Sequence, residues 1–256
     1  MAEFETVRRT GAGVRTAQID EGLRAHMNRV YGLMSVAMLI TGAAAWAVAG
    51  LAVSPEPTAY QMGNIYLTSF GAAIYASPLR WVVMLLPLAF VFGLSAGVQR
   101  MSAATAQFVF YLFAVAMGVS ISSIFLVFTN ASIAQVFLVT AIAFASLSLW
   151  GYTTKRDISG WGSFLIMGLI GIIVAMLLNI WLQSPALGFA VSAIGVLVFA
   201  GLTAYDTQNI KNTYLQMRAA EGDAYLGHAA VLGALSLYLN FINLFMMLLS
   251  LFGNRE

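Results

Sequence analysis

Seven mostly apolar stretches, each longer than twenty residues and nearly free of charge, dominate this chain; they run over 28–53, 78–99, 104–128, 133–153, 162–183, 187–210 and 228–252. A backbone in hydrocarbon must pair its own N–H and C=O groups, so segments of this kind span a bilayer as helices. About 20 residues at 1.5 Å each cover the ~30 Å hydrocarbon core, and every stretch meets that length. Composition agrees: 61% of the 256 residues are apolar and only 9% are charged, against roughly a quarter charged in soluble domains. The expectation is an all-α integral membrane protein, a bundle of seven transmembrane helices.

The polar remainder narrows the function. A formal charge of +2, with basic residues spread along the chain at the ends of apolar runs, does not describe a nucleic-acid binder. There is no cysteine, which excludes disulfides and thiolate metal sites. The first 27 residues are polar, with no apolar core and no small-residue cleavage site, so a cleaved signal peptide is not expected. They are read as a cytoplasmic tail (1–27) before a membrane domain (28–253). The gap 54–77 is expected to be a loop folded against the membrane surface, and 211–227 a second polar connection.

Basic residues near span ends set orientation. Arg8, Arg9, Arg15, Arg24, Arg29, Arg100, Lys155, Arg156, Lys211 and Arg218 fall on the N-terminal side, and Arg80 and Arg255 on the other. Ten against two predicts a cytoplasmic N-terminus and, with seven spans, an outer C-terminus. A re-entrant hairpin at 228–252 would instead return the C-terminus inside. Gly93-xxx-Gly97 has the spacing of a helix-contact motif, though glycine is common in membrane helices for other reasons.

Ionisable groups inside spans are costly and mark functional sites. Nine of the ten acids fall in tails or connections; only Asp206, in FAGLTAYDTQNIK, sits within a continuous helical pattern. Arg100, at the inner end of the second span, would pair with it if the two shared a depth; otherwise both are interfacial. Asn240 and Asn243, in SLYLNFINLF, need polar partners in mid-span, as interhelical contacts or along a wet cavity. Ser120, Ser122 and Ser123 allow either reading. His26 and His228 lie too far apart in sequence to argue a metal site. No nucleophile elbow, phosphate loop or zinc-protease motif is present, so the chain does not read as an enzyme and no cofactor is expected.

The segments GLTAYDTQNIK (201–211) and ALSLYLNFINLF (234–245), supported by MSAATAQFVFY (101–111), GVSISSIF (118–125) and GYTTKRDIS (151–159), resemble the Bax inhibitor-1 family, also called the transmembrane Bax inhibitor motif family, in its bacterial form. The resemblance covers about residues 25–253. It implies six helices around a central last one, a bacterial inner-membrane location, and a pH-sensitive calcium leak as the activity. The alternative it implies is a non-conducting modulator bound to a membrane protein such as a membrane-bound AAA protease. The family's ion site uses two aspartates and a basic residue after the second helix. By motif these fall on Asp206, on position 240 and on Arg100.

Position 240 departs from the pattern, because it is Asn240. Two neighbouring carboxylates share a proton, whereas an amide has none to share. Asp206 would then titrate alone, making the proton switch weaker or moving it to lower pH. The metal ligands expected for passing Ca²⁺ are Asp206 and Asn240, whose amide oxygen still coordinates. One geometric difficulty follows. Asp206 lies near the inner end of its apolar run and Asn240 twelve residues into its own, a gap on the order of 10 Å.

Overall fold

The computed structural model describes residues 2–220 and 225–255, with side chains from residue 21 onward apart from Gln99. Seven long helices form: α1 (Ala2–Ala52), α2 (Leu79–Gly97), α3 (Ala103–Ile121), α4 (Asn130–Thr153), α5 (Trp161–Leu182), α6 (Pro185–Ala219) and α7 (Leu226–Phe252). Each contains a window long and apolar enough to cross a membrane. Hydroxyl side chains start several of them. Ser102, Thr129 and Ser184 accept the amides of Thr105, Ser132 and Leu187, and Pro185 occupies the first turn of α6. These caps satisfy amides that have no partner within the helix.

The helices α6 and α7 form the most extensive contact in the bundle, and α7 also packs on α1, α3 and α4. Of the seven candidate spans, α7 is the most buried. By contrast α2 leans on α3 and α5 on α6, and their outer faces present large apolar side chains such as Leu85, Phe92, Phe164 and Trp181. The interior is aromatic. Tyr238 meets Phe110 and Phe113 edge-on at 5.8 and 5.3 Å, and Phe241 lies 5.4 Å from both Phe137 and Phe144. Edge-to-face packing suits rings whose faces are negative and edges positive.

Four features differ from the sequence reading. The segment 54–77 is more ordered than a loop: β1 (Val53–Ser54), β2 (Tyr60–Met62) and β3 (Ile65–Leu67) form an antiparallel sheet in the order β1-β3-β2. A short π-helix, Ala72–Ala76, follows, and the Tyr75 hydroxyl meets Ser122 Oγ at 2.7 Å. The boundary at residues 27 and 28 falls inside one continuous helix; the side chains of Glu3, Glu5 and Asp20 lie outside the described residues, as do Glu221 and Asp223. The third span bends at Ser122 before a short helix, Ile124–Val127. Most consequential, α6 continues nine residues past 210, through KNTYLQMRA. Six of those nine residues, Lys211 and 215–219, are good helix formers, and Tyr214, among the nine, is 1% exposed with its ring 5.0 Å from that of His26.

The last apolar run is one unbroken helix rather than a hairpin. Its far end is tied to the start of α4, since the amide of Thr129 donates to the Asn254 carbonyl at 3.0 Å and the amide of Asn254 to Ser132 Oγ at 3.0 Å.

Glycine permits close helix contact at positions other than the expected pair. A Cβ on Gly93 would meet nothing within 4 Å, whereas one on Gly118 would lie 2.5 Å from the Thr41 carbonyl oxygen and 2.7 Å from Ala44 Cβ. Gly151 similarly abuts the Ala204 carbonyl. Gly118→Ala should therefore cost about 1–3 kcal/mol through overpacking. Gly93→Ala should be neutral or stabilising by up to about 1 kcal/mol. Thermal unfolding of the two variants in detergent compares them directly, and equal losses would contradict the packing described.

Candidate functional site: a paired aspartate and asparagine above a polar cavity

The extension of α6 resolves the depth problem. Asp206 lies thirteen residues before the end of α6 at Ala219, and Asn240 fourteen after the start of α7 at Leu226. In an antiparallel hairpin those positions come level. Asn240 Nδ2 accordingly donates to Asp206 Oδ2 at 2.7 Å. Asn240 is 5% exposed and Asp206 half-buried. A carboxylate in such surroundings gains from a directed donor, because unpaired charge in low dielectric is costly. The second asparagine serves its own helix instead: Asn243 Nδ2 donates to the Leu239 carbonyl at 2.8 Å.

A cavity of about 300 Å³ opens on the N-terminal side of the pair. On α6 its wall includes Asn209, Thr213 and Met217, and on α7 His228, Leu232 and Ser236. At helical spacing these continue the faces that carry Asp206 and Asn240. Asn209 and Ser236 are each one turn from the pair. Polar groups thus mark a half-open path between α6 and α7, ending one turn short of the aspartate. On the other side the interior is packed with Leu244, Phe245, Met247 and Leu248, all buried.

His26 and His228, remote in sequence, line this same cavity. His228 Nε2 donates to the Met101 carbonyl at 2.8 Å, and its buried Nδ1 has no hydrogen-bond partner among the described residues. Among those residues no three His, Asp or Glu side chains converge as a metal cluster.

Arg100 is placed differently from the expectation of a pair with Asp206. It is exposed, at the end of the short helix Val98–Arg100, and has no ion pair among the described residues. Val98 lines the cavity, Met101 bonds to His228, and Ala103 abuts Gly227. Arg100 therefore sits level with the first turn of α7, about 18 Å along the helix from Asn240, and reaches Asp206 only if helices move.

A hydroxyl chain runs beside the pair. Tyr31 shares a 2.6 Å hydrogen bond with Ser148 Oγ, which meets Thr207 Oγ1 at 2.9 Å. It joins α1, α4 and α6 next to Asp206. Ser120, Ser122 and Ser123 do not join this site; buried Ser122 serves the turn after α3 and the Tyr75 contact.

Replacing Asn240 by Leu leaves the Asp206 carboxylate without its donor and should destabilise the bundle by about 1–3 kcal/mol. Asp206→Asn keeps an amide pair and should change stability by less than about 1 kcal/mol. Unfolding in detergent distinguishes them, and a smaller loss for Asn240→Leu than for Asp206→Asn would contradict the pairing.

The likeness to known proteins covers nearly the whole chain. A family model described as "Inhibitor of apoptosis-promoting Bax1" matches residues 23–256. The inner membrane protein YbhL of Escherichia coli is 46% identical over 235 residues, 92% of this chain and 94% of that protein. An uncharacterized protein of Caulobacter vibrioides is 43% identical over 240 residues, 93% of this chain and 92% of its own. Another, from Rickettsia prowazekii, is 41% identical over 237 residues, again 93% and 92% of the two chains. The chain is a multi-pass inner-membrane protein of the Bax inhibitor-1 family.

Proposed function

We propose that this protein is a pH-modulated leak pathway for calcium or a similar cation, with its N-terminus in the cytoplasm and its ion site at Asp206 and Asn240. The observation that carries this reading is the hydrogen-bonded pair at the head of the polar cavity between α6 and α7. One carboxylate and one amide oxygen are few ligands for Ca²⁺, which takes 6–8 oxygens when held firmly. A site so poor in ligands suits brief occupancy by a partly hydrated ion, as conduction requires. Protonation of Asp206 removes the only charge in the pair and with it the attraction for a cation.

Arg100 enters this scheme as a charge at the cavity mouth rather than as a resident partner of Asp206. A shift of α2 and the turn after it, which the Met101–His228 hydrogen bond now holds, would carry the guanidinium inward. Two histidines also line the cavity wall, so the experiment must separate them from Asp206.

Calcium flux into liposomes containing the purified protein alone, measured from pH 5 to 8, tests the proposal. The parent should conduct, and Asp206→Asn should flatten the pH profile while His228→Gln retains it. Asn240→Asp, nearly isosteric, should steepen the profile and tighten calcium binding, because two adjacent carboxylates hold a cation and a shared proton. Absence of flux in the parent, together with co-purification of a membrane-bound AAA protease, would replace the channel by the non-conducting modulator. Identical pH profiles for the parent and Asp206→Asn would remove Asp206 from the pathway.

A further inference from the structure

A second cavity is lined by different residues from the one beside the ion site. It is a cleft of about 520 Å³ between α1 and α4, floored in part by Phe241 of α7. Its walls are two helical stripes. Arg24, Asn28, Tyr31 and Ser35 lie along one face of α1, and Ala141, Ala145, Ser148 and Tyr152 along one face of α4. The two helices are joined by the Tyr31–Ser148 hydrogen bond. Alanine and serine at Ala141, Ala145, Ser35 and Ser148 leave the cleft hollow.

Length, charge and depth identify an occupant. From Arg24 to Ser35 is eleven residues, about 16 Å along the helix axis. That equals roughly one leaflet, half of the ~30 Å hydrocarbon core. A cleft of that length, starting at the N-terminal membrane surface, would stop near mid-bilayer, about half the depth that a spanning partner helix covers. Its surface end is basic. Arg24 is exposed with no ion-pair partner among the described residues, and Lys211 lies beside Tyr152 of the cleft wall, 5.5 Å from its ring and donating to its carbonyl at 2.9 Å. Arginine at this depth extends its head toward lipid phosphate while its stem lies on apolar surface.

We propose that the cleft between α1 and α4 binds one anionic phospholipid of the leaflet on the N-terminal side, with an acyl chain against Ala141, Ala145 and Phe144 and the headgroup phosphate at Arg24. The chain end then covers the Tyr31–Ser148–Thr207 hydroxyl contacts from the bilayer side. This assignment does not depend on whether the protein conducts ions.

The test uses the full-length parent protein in nanodiscs and phosphatidylglycerol carrying a photoreactive group midway along one acyl chain. Labelling should concentrate on the stretches 27–35 and 141–149. Unlabelled phosphatidylglycerol should compete several-fold better than phosphatidylcholine. Arg24→Gln should bring the two competitors close to parity, and Ala145→Trp, which fills the cleft, should abolish the concentrated labelling. Labelling spread evenly over the exposed faces of α2 and α5, or equal competition by the two lipids in the parent, would overturn the proposal. So would displacement by free fatty acid but not by phospholipid, or a co-purified protein that cross-links to Ala145.

Discussion

A carboxylate inside a membrane bundle has to be held, and the Asn240 amide at 2.7 Å from Asp206 does so. That contact fixes the register of α6 against α7, the most extensively packed pair of helices. Because α7 also touches α1, α3 and α4, the same register sets where the remaining helices meet its aromatic side chains. A slip of one turn along either helix would place Asp206 against Ser236 or Leu244 and leave the carboxylate facing a hydroxyl or a methyl group.

Around this contact the bundle is asymmetric. Toward the N-terminal side, α6 and α7 diverge enough to leave a cavity lined by Asn209, Thr213, Ser236 and two histidines. Away from it, Leu244, Phe245, Met247 and Leu248 are buried and close the interior. A cation entering from the cavity would meet the Asp206 side chain one turn beyond its end and then these packed apolar residues. The α1–α4 cleft lies on another side of the same polar cluster, linked to it through Ser148 and Thr207. The two cavities thus approach Asp206 from different directions.

Much of this was legible in the sequence. All seven runs appear as helices within a few residues of their expected ends, apart from the start of α1, the break at Ser122 in the third span and the end of α6, because hydrocarbon leaves the backbone little choice. Asp206 and Asn240 were legible as a pair through motif resemblance, but not as neighbours in depth. Their apparent 10 Å offset came from reading KNTYLQMRA as a connection because it is polar. Polarity excludes those residues from lipid but not from a helix, and Tyr214 shows that the extension still buries a side chain. With 211–219 read as helical, the spacing of Asn209 and Thr213 below Asp206 would have revealed the cavity wall. The placing of His26 and His228 along one cavity wall, the small sheet at 53–67 and the level of Arg100 depend on contacts between distant segments, and no local pattern encodes them.

Asp206 lies one turn beyond the end of a polar cavity on the N-terminal side of the bundle, with buried apolar side chains on its other side. The natural absence of cysteine allows a direct measurement with single substitutions and a membrane-impermeant thiol reagent added to sealed vesicles of either orientation. Thr213→Cys and Ser236→Cys should react from the N-terminal side alone, and Leu244→Cys from neither. Inert cysteines at 213 and 236, or a cysteine at 244 that reacts as readily as they do, would contradict the account.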